Sequence, residues 1–308
     1  MFHLTGITDE GGGSWETQKR LIETLNLDPE LRFVDGKPFW QLPPKRFQQI
    51  ISDLESMGKN PCCISSTIAN WAKQPTEEGF LRSIEEAKVL AERMTLIGAP
   101  MVRIMAFAII QGKSISEQNL GWRIESLKYL AEIFINKGIQ VVVENCQSYS
   151  GMHPDCMEEI LTAIPEISPL IDFGNPVFTR NYKSTDPNVR QNPLYWVRAF
   201  SYCVKHIHIK DAIFGYWRPN EVFPKAFFTL PGQGHVGVEA CLATLLNNKY
   251  NGYVSIESHT KAVFHEGIAE VSEDDLFDNF VLYYRTLERI IQELTKKRDE
   301  MSHEKMML

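Results

Sequence analysis

The sequence lacks the features that direct a chain into or across a membrane. Its first ten residues, MFHLTGITDE, have neither a positively charged segment nor an apolar core, so they do not predict a secretory signal peptide. No apolar run approaches the ~20 residues that a membrane span needs. We therefore expect a cytoplasmic protein with no membrane partner.

Cysteine is present, but not in the spacing of a metal or redox motif. None of the six cysteines forms a CxxC pair, which argues against a zinc–thiolate site. Most of them lie in apolar segments. We interpret them as buried, reduced thiols, as is usual in the cytoplasm.

A basic surface is also missing. The chain has 32 Lys and Arg against 39 Asp and Glu, a net charge of −7, and no cluster of positive residues. A nucleic-acid partner would require such a cluster to neutralise its phosphates. We therefore exclude nucleic acid as the main partner.

No Pro- or Ser-rich linker divides the chain. We predict a single domain, 1–308, in which residues 295–308 form a frayed tail after the last apolar stripe. The glycines of GITDEGGGSWE do not follow the GxGxxG spacing. This disfavours a doubly wound open sheet, in which such a turn usually follows the first strand.

A repeated pattern of helix, glycine and apolar strand indicates the fold. The helical segments carry apolar residues at spacings of three and four, for example from Leu81 to Met94. The strands are apolar throughout, which is typical of a parallel sheet covered on both faces. Eight candidate strands lie near residues 2–8, 30–34, 60–65, 101–106, 139–144, 168–172, 204–209 and 252–257. This alternation predicts a (β/α)8 TIM barrel, with the open sheet as its rival.

The last four predicted strands end in residue types that bind metals. They are Glu144, Asp172, His208 and Glu257. Taken singly, each carboxylate is better explained as a helix-cap or loop residue, and the histidine as a hydrogen-bonded core residue. In a TIM barrel, however, the C-terminal strand ends converge on one site, where a shared cation would offset the cost of burying four ionisable groups. Two Glu, one Asp and one His suit Mn²⁺, Mg²⁺ or Co²⁺ better than Zn²⁺.

The seventh strand carries polar residues at alternate positions. In VKHIHIKD, side chains two residues apart point to the same face of a strand, so His206, His208 and Lys210 share one face. We expect this face to look at the barrel centre. His208 would then bind the metal, with His206 beneath it and Lys210 above it.

Four segments in this order resemble the xylose-isomerase-like TIM barrel superfamily. They are VVVENC, LIDFGN, HIHIKD and YVSIESH. The superfamily includes sugar phosphate isomerases and epimerases related to tagatose and psicose 3-epimerases, and inosose dehydratases. The resemblance implies that the four residues above hold the metal and that Glu144 and Glu257 also form the proton-transfer pair.

The resemblance further implies a metal-dependent sugar isomerase or epimerase of carbohydrate metabolism. Such an enzyme removes a carbon-bound proton through a metal-stabilised enediolate. The same residues also suit a dehydratase (a lyase) acting on a keto-sugar or inosose, and a non-catalytic sugar-binding barrel is the alternative from another class. A barrel-type endonuclease is disfavoured by the acidic charge and by the small number of histidines.

Several residues are predicted to surround a small sugar or cyclitol substrate. They are Asn175, His206, Lys210 and His259. The 3-epimerases have a histidine where this chain has Asn175 and an arginine where it has Phe214. The irregular stretch from Ala212 to Gly234 is rich in aromatic rings, which we expect to be buried against the barrel mouth or in a homodimer interface.

Overall fold

The three-dimensional structure of the chain is a computed structural model that describes residues 2–186, 188–216, 225–260 and 271–307. Eight parallel strands form one barrel, and they correspond to the eight strands predicted from the sequence. They are β1 His3–Gly6, β2 Glu30–Leu31, β3 Cys63–Ser65, β4 Met101–Ile104, β5 Gln140–Glu144, β6 Ser168–Asp172, β7 His206–Ile209 and β8 Tyr253–Ile256.

Each strand from β2 to β8 pairs in parallel with the next, and β8 pairs with β1. A parallel bridge between Ile7 and Glu30 links β1 to β2 and completes the ring. The fold is therefore a single-domain TIM barrel, as predicted, and the carboxyl ends of all eight strands open on one face.

Helices alternate with the strands along the chain. They are α1 Trp15–Leu25, α2 Pro44–Met57, α3 Glu77–Ile97, α4 Leu120–Ile135, α5 Pro154–Ala163, α6 Asn175–Phe178, α7 Pro193–Phe200, α8 Val238–Asn247 and α9 Glu273–Met307. Within the described residues, no helix is long and apolar enough to cross a bilayer. Helix α9 includes most of the predicted tail, whose fraying stays a prediction.

The apolar residues predicted to face inward on α3 do so except for the first, Leu81. Ala87, Ala91 and Met94 are buried, whereas Leu81 is 56% exposed. A helix turns about 100° per residue, so the buried Ser83 continues the inward face at this end and Leu81 does not. Glycine ends α3, since Gly98 follows it with a φ of 73°, the left-handed C-cap expected from the sequence.

The stretch predicted to be irregular after β7 contains a β-hairpin instead. Asp211–Tyr216 pairs antiparallel with Lys225–Thr229. The β-branched and aromatic residues of these two segments favour strands, and this preference outweighs the glycine and proline signals around them. Of the rings expected to be buried, Phe227 is 58% exposed, while Trp217 and Phe223 lie outside the described residues.

Candidate active site

The four side chains predicted as metal ligands meet at the carboxyl end of the barrel. Glu144 and Asp172 end β5 and β6, His208 lies in β7, and Glu257 directly follows β8. One ligand atom of each residue lies within 4.8 Å of the others, and all four residues are buried. A single ion contacts its ligand atoms at about 2.0–2.6 Å, so these atoms are close enough to share one.

Two donor atoms in this cluster have no hydrogen-bond partner. His208 Nδ1 and Asp172 Oδ2 are both buried and have no hydrogen bond among the described residues, although Lys210 Nζ lies 3.1 Å from Asp172 Oδ2 as an ion-pair partner. A buried polar atom without a partner costs about 1–3 kcal/mol, and more when it is charged. A divalent cation would satisfy both atoms, so this donor set fits a metal.

Glu30 in β2 orients the imidazole of His208. Its Oε1 lies 2.9 Å from His208 Nε2, and its Oε2 lies 2.8 Å from His206 Nε2. Because a carboxylate only accepts hydrogen bonds, each Nε2 carries the proton, and His208 Nδ1 is left to bind a cation. Burial opposes ionisation of Glu30, but the two imidazoles hold its pKa well below its usual range.

His206 belongs to the layer below the site. It is fully buried and is not among the residues that line the cavity described below. Its position beneath His208 agrees with the strand alternation. Direct contact between His206 and a substrate, which the sequence suggested, stays a prediction.

Two neighbours hold the carboxylate of Glu144. Arg103 Nη1 in β4 is 3.3 Å from Glu144 Oε2, and Asn175 Nδ2 donates to Glu144 Oε1 over 2.9 Å. The backbone N–H of Asn175 also donates to Asp172 Oδ1 over 2.7 Å. Asn175, predicted to contact substrate, thus fixes two of the three cluster carboxylates while it lines the cavity.

Positive side chains surround Glu257. Lys210 Nζ contacts Glu257 Oε2 and lies 3.1 Å from Asp172 Oδ2, and Arg32 Nη1 lies 3.0 Å from Glu257 Oε1. Burial opposes ionisation, yet Lys210, His259 and Arg32 hold the pKa of Glu257 well below its usual range. Burial raises the pKa of Asp172 to about 6, although Lys210 opposes this rise.

His259 bridges two acidic residues beside the cluster. Its Nδ1 is 2.9 Å from Glu10 Oε2, and its Nε2 is 3.4 Å from Glu257 Oε1. Although burial disfavours the imidazolium, these carboxylates raise the pKa of His259 to about 9. His259 is not among the described residues that line the cavity, and its contact with a substrate stays a prediction.

A cavity of about 530 Å³ opens above the cluster. This volume is in the range of small-molecule sites, which span ~300–1,000 Å³. Glu144 and Glu257 of the cluster line it, together with Asn175 and Lys210 beside the cluster. Its remaining lining is formed by Arg32, Phe33, Ser66, Thr67, Asn70, Trp71, Arg103, Met105, Cys146 and Gln147.

Sequence reasoning missed Glu30, Arg32 and Arg103. Each is a charged residue within or next to a short apolar strand, in PELRF and MVRIM. A charged side chain buried in a barrel needs a partner. A charged residue within an apolar strand was therefore a signal for a buried ion pair. The sequence does not show which residue that partner is.

Comparison with known proteins places the chain among relatives of low identity. It is 26% identical over 144 residues to inosose dehydratase of Bacillus cereus (strain AH820), covering 44% of this chain and 45% of that one. It is 21% identical over 213 residues to inosose dehydratase of Clostridium botulinum (strain Alaska E43), covering 63% and 66%. The chain thus spans about half to two thirds of these relatives.

Solved structures of similar fold cover nearly the whole chain. The IOLI protein with a bound zinc atom has a TM-score of 0.70 at 15% identity and covers 95% of this chain and 99% of its own. A xylose isomerase-like TIM barrel protein from Mycobacterium smegmatis in complex with magnesium has a TM-score of 0.62 at 17% identity, covering 94% and 97%. D-Allulose 3-epimerase from Methylomonas sp. in complex with D-allulose has a TM-score of 0.65 at 16% identity, covering 94% and 96%.

At these identities the structural likeness establishes the fold alone. A family assignment comes from the sequence, because the profile of the xylose isomerase-like TIM barrel family matches residues 27–275. This match covers most of the chain, including β2 to β8 and all four cluster residues. The chain therefore belongs to the xylose isomerase-like TIM barrel family.

Proposed function

We propose that this protein is a divalent-metal-dependent isomerase or epimerase of a small sugar or cyclitol. The observation that carries the proposal is the convergence of Glu144, Asp172, His208 and Glu257, with two donor atoms that have no hydrogen bond among the described residues, beneath a cavity of about 530 Å³. Both glutamates line that cavity. Inosose dehydratases and sugar epimerases among its relatives support a substrate of this class.

The charge balance of the site supports a divalent ion. Among the described residues, the buried network holds six carboxylates, Asp9, Glu10, Glu30, Glu144, Asp172 and Glu257, against the cations Arg32, Arg103, Lys210 and His259. Among these groups two negative charges remain uncompensated when His208 binds an ion as a neutral imidazole. One divalent cation would balance them, and the bound magnesium and zinc of two structural neighbours support this kind of ligand.

Glu144 and Glu257 are the proposed proton-transfer groups. They extend from β5 and β8 into the same cavity, so a substrate between them exposes different faces to each. One glutamate would remove a proton from the carbon next to a carbonyl, and the other would return one. When bound, the ion would stabilise negative charge that develops on substrate oxygens. Arg103 and Asn175 keep Glu144 in position, and Arg32 and Lys210 do so for Glu257.

A dehydratase is the second candidate. The curated relatives are inosose dehydratases, and the chain has Asn175 and Phe214 where the 3-epimerases have histidine and arginine. Dehydration begins with the same proton abstraction and then expels a neighbouring hydroxyl. The two reactions differ in their products and not in the first step.

Proton exchange with solvent tests both candidates together. The full chain, loaded with Mn²⁺, Mg²⁺ or Co²⁺, would be incubated in D₂O with free keto-sugars, inososes and sugar phosphates. We expect deuterium at the carbon next to the carbonyl for at least one compound, with an epimer, an isomer or a dehydrated product identifying the reaction. No exchange with any compound, in protein shown to contain the metal, would favour the non-catalytic sugar-binding barrel.

A substitution at Glu30 tests whether this residue, which is not a proposed metal ligand, affects metal binding by orienting His208. Glu30→Gln removes the carboxylate that fixes the His208 tautomer but leaves all four cluster residues in place. Loss of such an outer partner typically lowers metal affinity about 10–100-fold, and we expect a loss in this range by calorimetric titration with Co²⁺. Unchanged affinity would show that Glu30 does not control the imidazole.

We also propose that the protein is a cytoplasmic homodimer. The hairpin exposes Ile213 and Phe227, which are cross-strand partners with 39% and 58% of their surfaces accessible. Adjacent exposed apolar side chains favour contact with a partner surface. Light scattering is expected to give the mass of two chains, and a monomer mass at micromolar concentration would contradict the proposal.

A further inference from the structure

Lys210 lies within the cluster of proposed metal ligands. Its ammonium group forms an ion pair with Asp172 Oδ2 at 3.1 Å, an oxygen that has no hydrogen bond, and it also contacts Glu257 Oε2. The side chain is only 7% exposed. Two of the four proposed ligands are therefore already in contact with a cation that belongs to the protein.

The backbone around Lys210 keeps its side chain in this place. A Cβ on Gly174 would lie 2.3 Å from Lys210 Cγ and 2.9 Å from the Lys210 carbonyl oxygen. No side chain fits there, so the glycine of DFGN makes room for the stem of the lysine. The next residue, Asp211, is held by the amides of Gly232 and Gly234 at 2.9 and 3.0 Å. Lys210 thus extends from a fixed backbone into a fitted space.

We propose that Lys210 is a positioning residue that holds Asp172 and Glu257 in place before the metal binds and weakens the binding of that metal. This inference rests on the proposed metal site. Without the ammonium group, the negative charges of the two buried carboxylates would repel each other more strongly. The carboxylates would then tend to move apart or take up protons. With the ammonium present, an incoming divalent cation meets like-charge repulsion at short range, in a buried site where water screens poorly.

This arrangement has a direct consequence for metal affinity. A neutral side chain at position 210 should increase the affinity for a divalent cation, although it removes a favourable ion pair. Loss of one nearby positive charge should tighten binding at least about tenfold at the effective dielectric of a protein site. A lysine that only positioned the ligands would have the opposite effect, because its loss would disorder them without relieving any repulsion of the metal, and binding would weaken.

Calorimetric titration of the metal-free full chain with Co²⁺ tests the inference. The variants are Lys210→Met and Lys210→Gln, the second of which retains a hydrogen-bond donor if the first folds poorly. Lys205→Met is the matched control, since it removes the charge of an exposed lysine just before β7. We expect both position-210 variants to bind Co²⁺ at least about tenfold more tightly than the wild type and the control to change less than about twofold.

Thermal unfolding supplies a second readout. Both position-210 variants should melt at lower temperature than the wild type without Co²⁺. Their melting temperature should rise more than that of the wild type at the same excess of Co²⁺, because stabilisation by a ligand increases with the logarithm of its concentration divided by Kd. Equal or weaker Co²⁺ binding by folded variants, with normal binding by the wild type, would overturn this inference and leave the proposed function intact. Absence of Co²⁺ binding by the wild type and every variant would overturn the proposed function and this inference with it.

Discussion

Replacing Glu144 or Glu257 by glutamine is expected to lower kcat by at least about 100-fold, because a positioned general acid or base contributes typically ~10²–10⁴-fold. Glutamine preserves the shape of the side chain but can neither accept nor return the proton. It also removes one negative ligand from the proposed metal site. The measurement is steady-state turnover on the compound identified by deuterium exchange, at saturating metal.

A buried glutamate outside the site provides the control for this result. Glu86 is 1% exposed and pairs with Lys73 at 2.6 Å, but it does not line the cavity above the cluster. Glu86 reaches the cavity only through Thr67, whose backbone N–H and hydroxyl donate to its carboxylate, so Glu86→Gln should lower turnover per folded molecule far less than 100-fold. Near-normal turnover in either Glu144→Gln or Glu257→Gln would contradict the two-carboxylate mechanism.

Removal of a proposed ligand should cost more metal affinity than removal of an outer partner. We expect Asp172→Asn and His208→Ala each to weaken Co²⁺ binding more than about 100-fold, beyond the ~10–100-fold typical of outer partners such as Glu30. The physical reason is that both residues present to the cluster a buried ligand atom that has no hydrogen bond among the described residues. Calorimetric titration of metal-free protein gives the affinity directly.

The loss of Co²⁺ affinity should occur only when a cluster residue is replaced, and not when a histidine elsewhere is removed. His235 is exposed and its Nδ1 accepts the backbone N–H of Phe214, well outside the four-residue cluster. His235→Ala should therefore bind Co²⁺ like the wild type. If it lost affinity to the same extent as His208→Ala, the cation would not be held where we propose.

The barrel and the four cluster residues were accessible from the sequence for a simple reason. Apolar strands buried on both faces, glycines at helix ends such as Gly98, and polar residues at strand ends are local patterns. The topology of a TIM barrel then brings distant strand ends together without further information. Glu144 and Glu257 could be placed at one site because both follow such strands.

The supporting network was not accessible in the same way. Glu30 and His208 are 178 residues apart in the chain, and Arg32 and Glu257 are 225 apart. Nothing in the local pattern of PELRF indicates which partner each charged residue will meet. The space that Gly174 provides for Lys210 is likewise a contact between two segments, visible only when the strands are side by side.

The hairpin after β7 is a case in which local sequence signals gave a wrong prediction. Glycine and proline in the stretch from Ala212 to Gly234 indicated an irregular loop, but Asp211–Tyr216 and Lys225–Thr229 pair as strands. Strand pairing depends on a partner segment, which local turn signals do not report. The site itself did not depend on this prediction.

The most direct test of the central claim is a crystal structure of the protein grown with Mn²⁺ or Co²⁺, with anomalous scattering used to locate the ion. We expect one strong anomalous peak per chain at about 2.0–2.5 Å from donor atoms of Glu144, Asp172, His208 and Glu257, with Nδ1 as the donor of His208. The absence of a peak there at saturating metal, or a peak instead among Glu30, Cys63 and His206, would contradict the account.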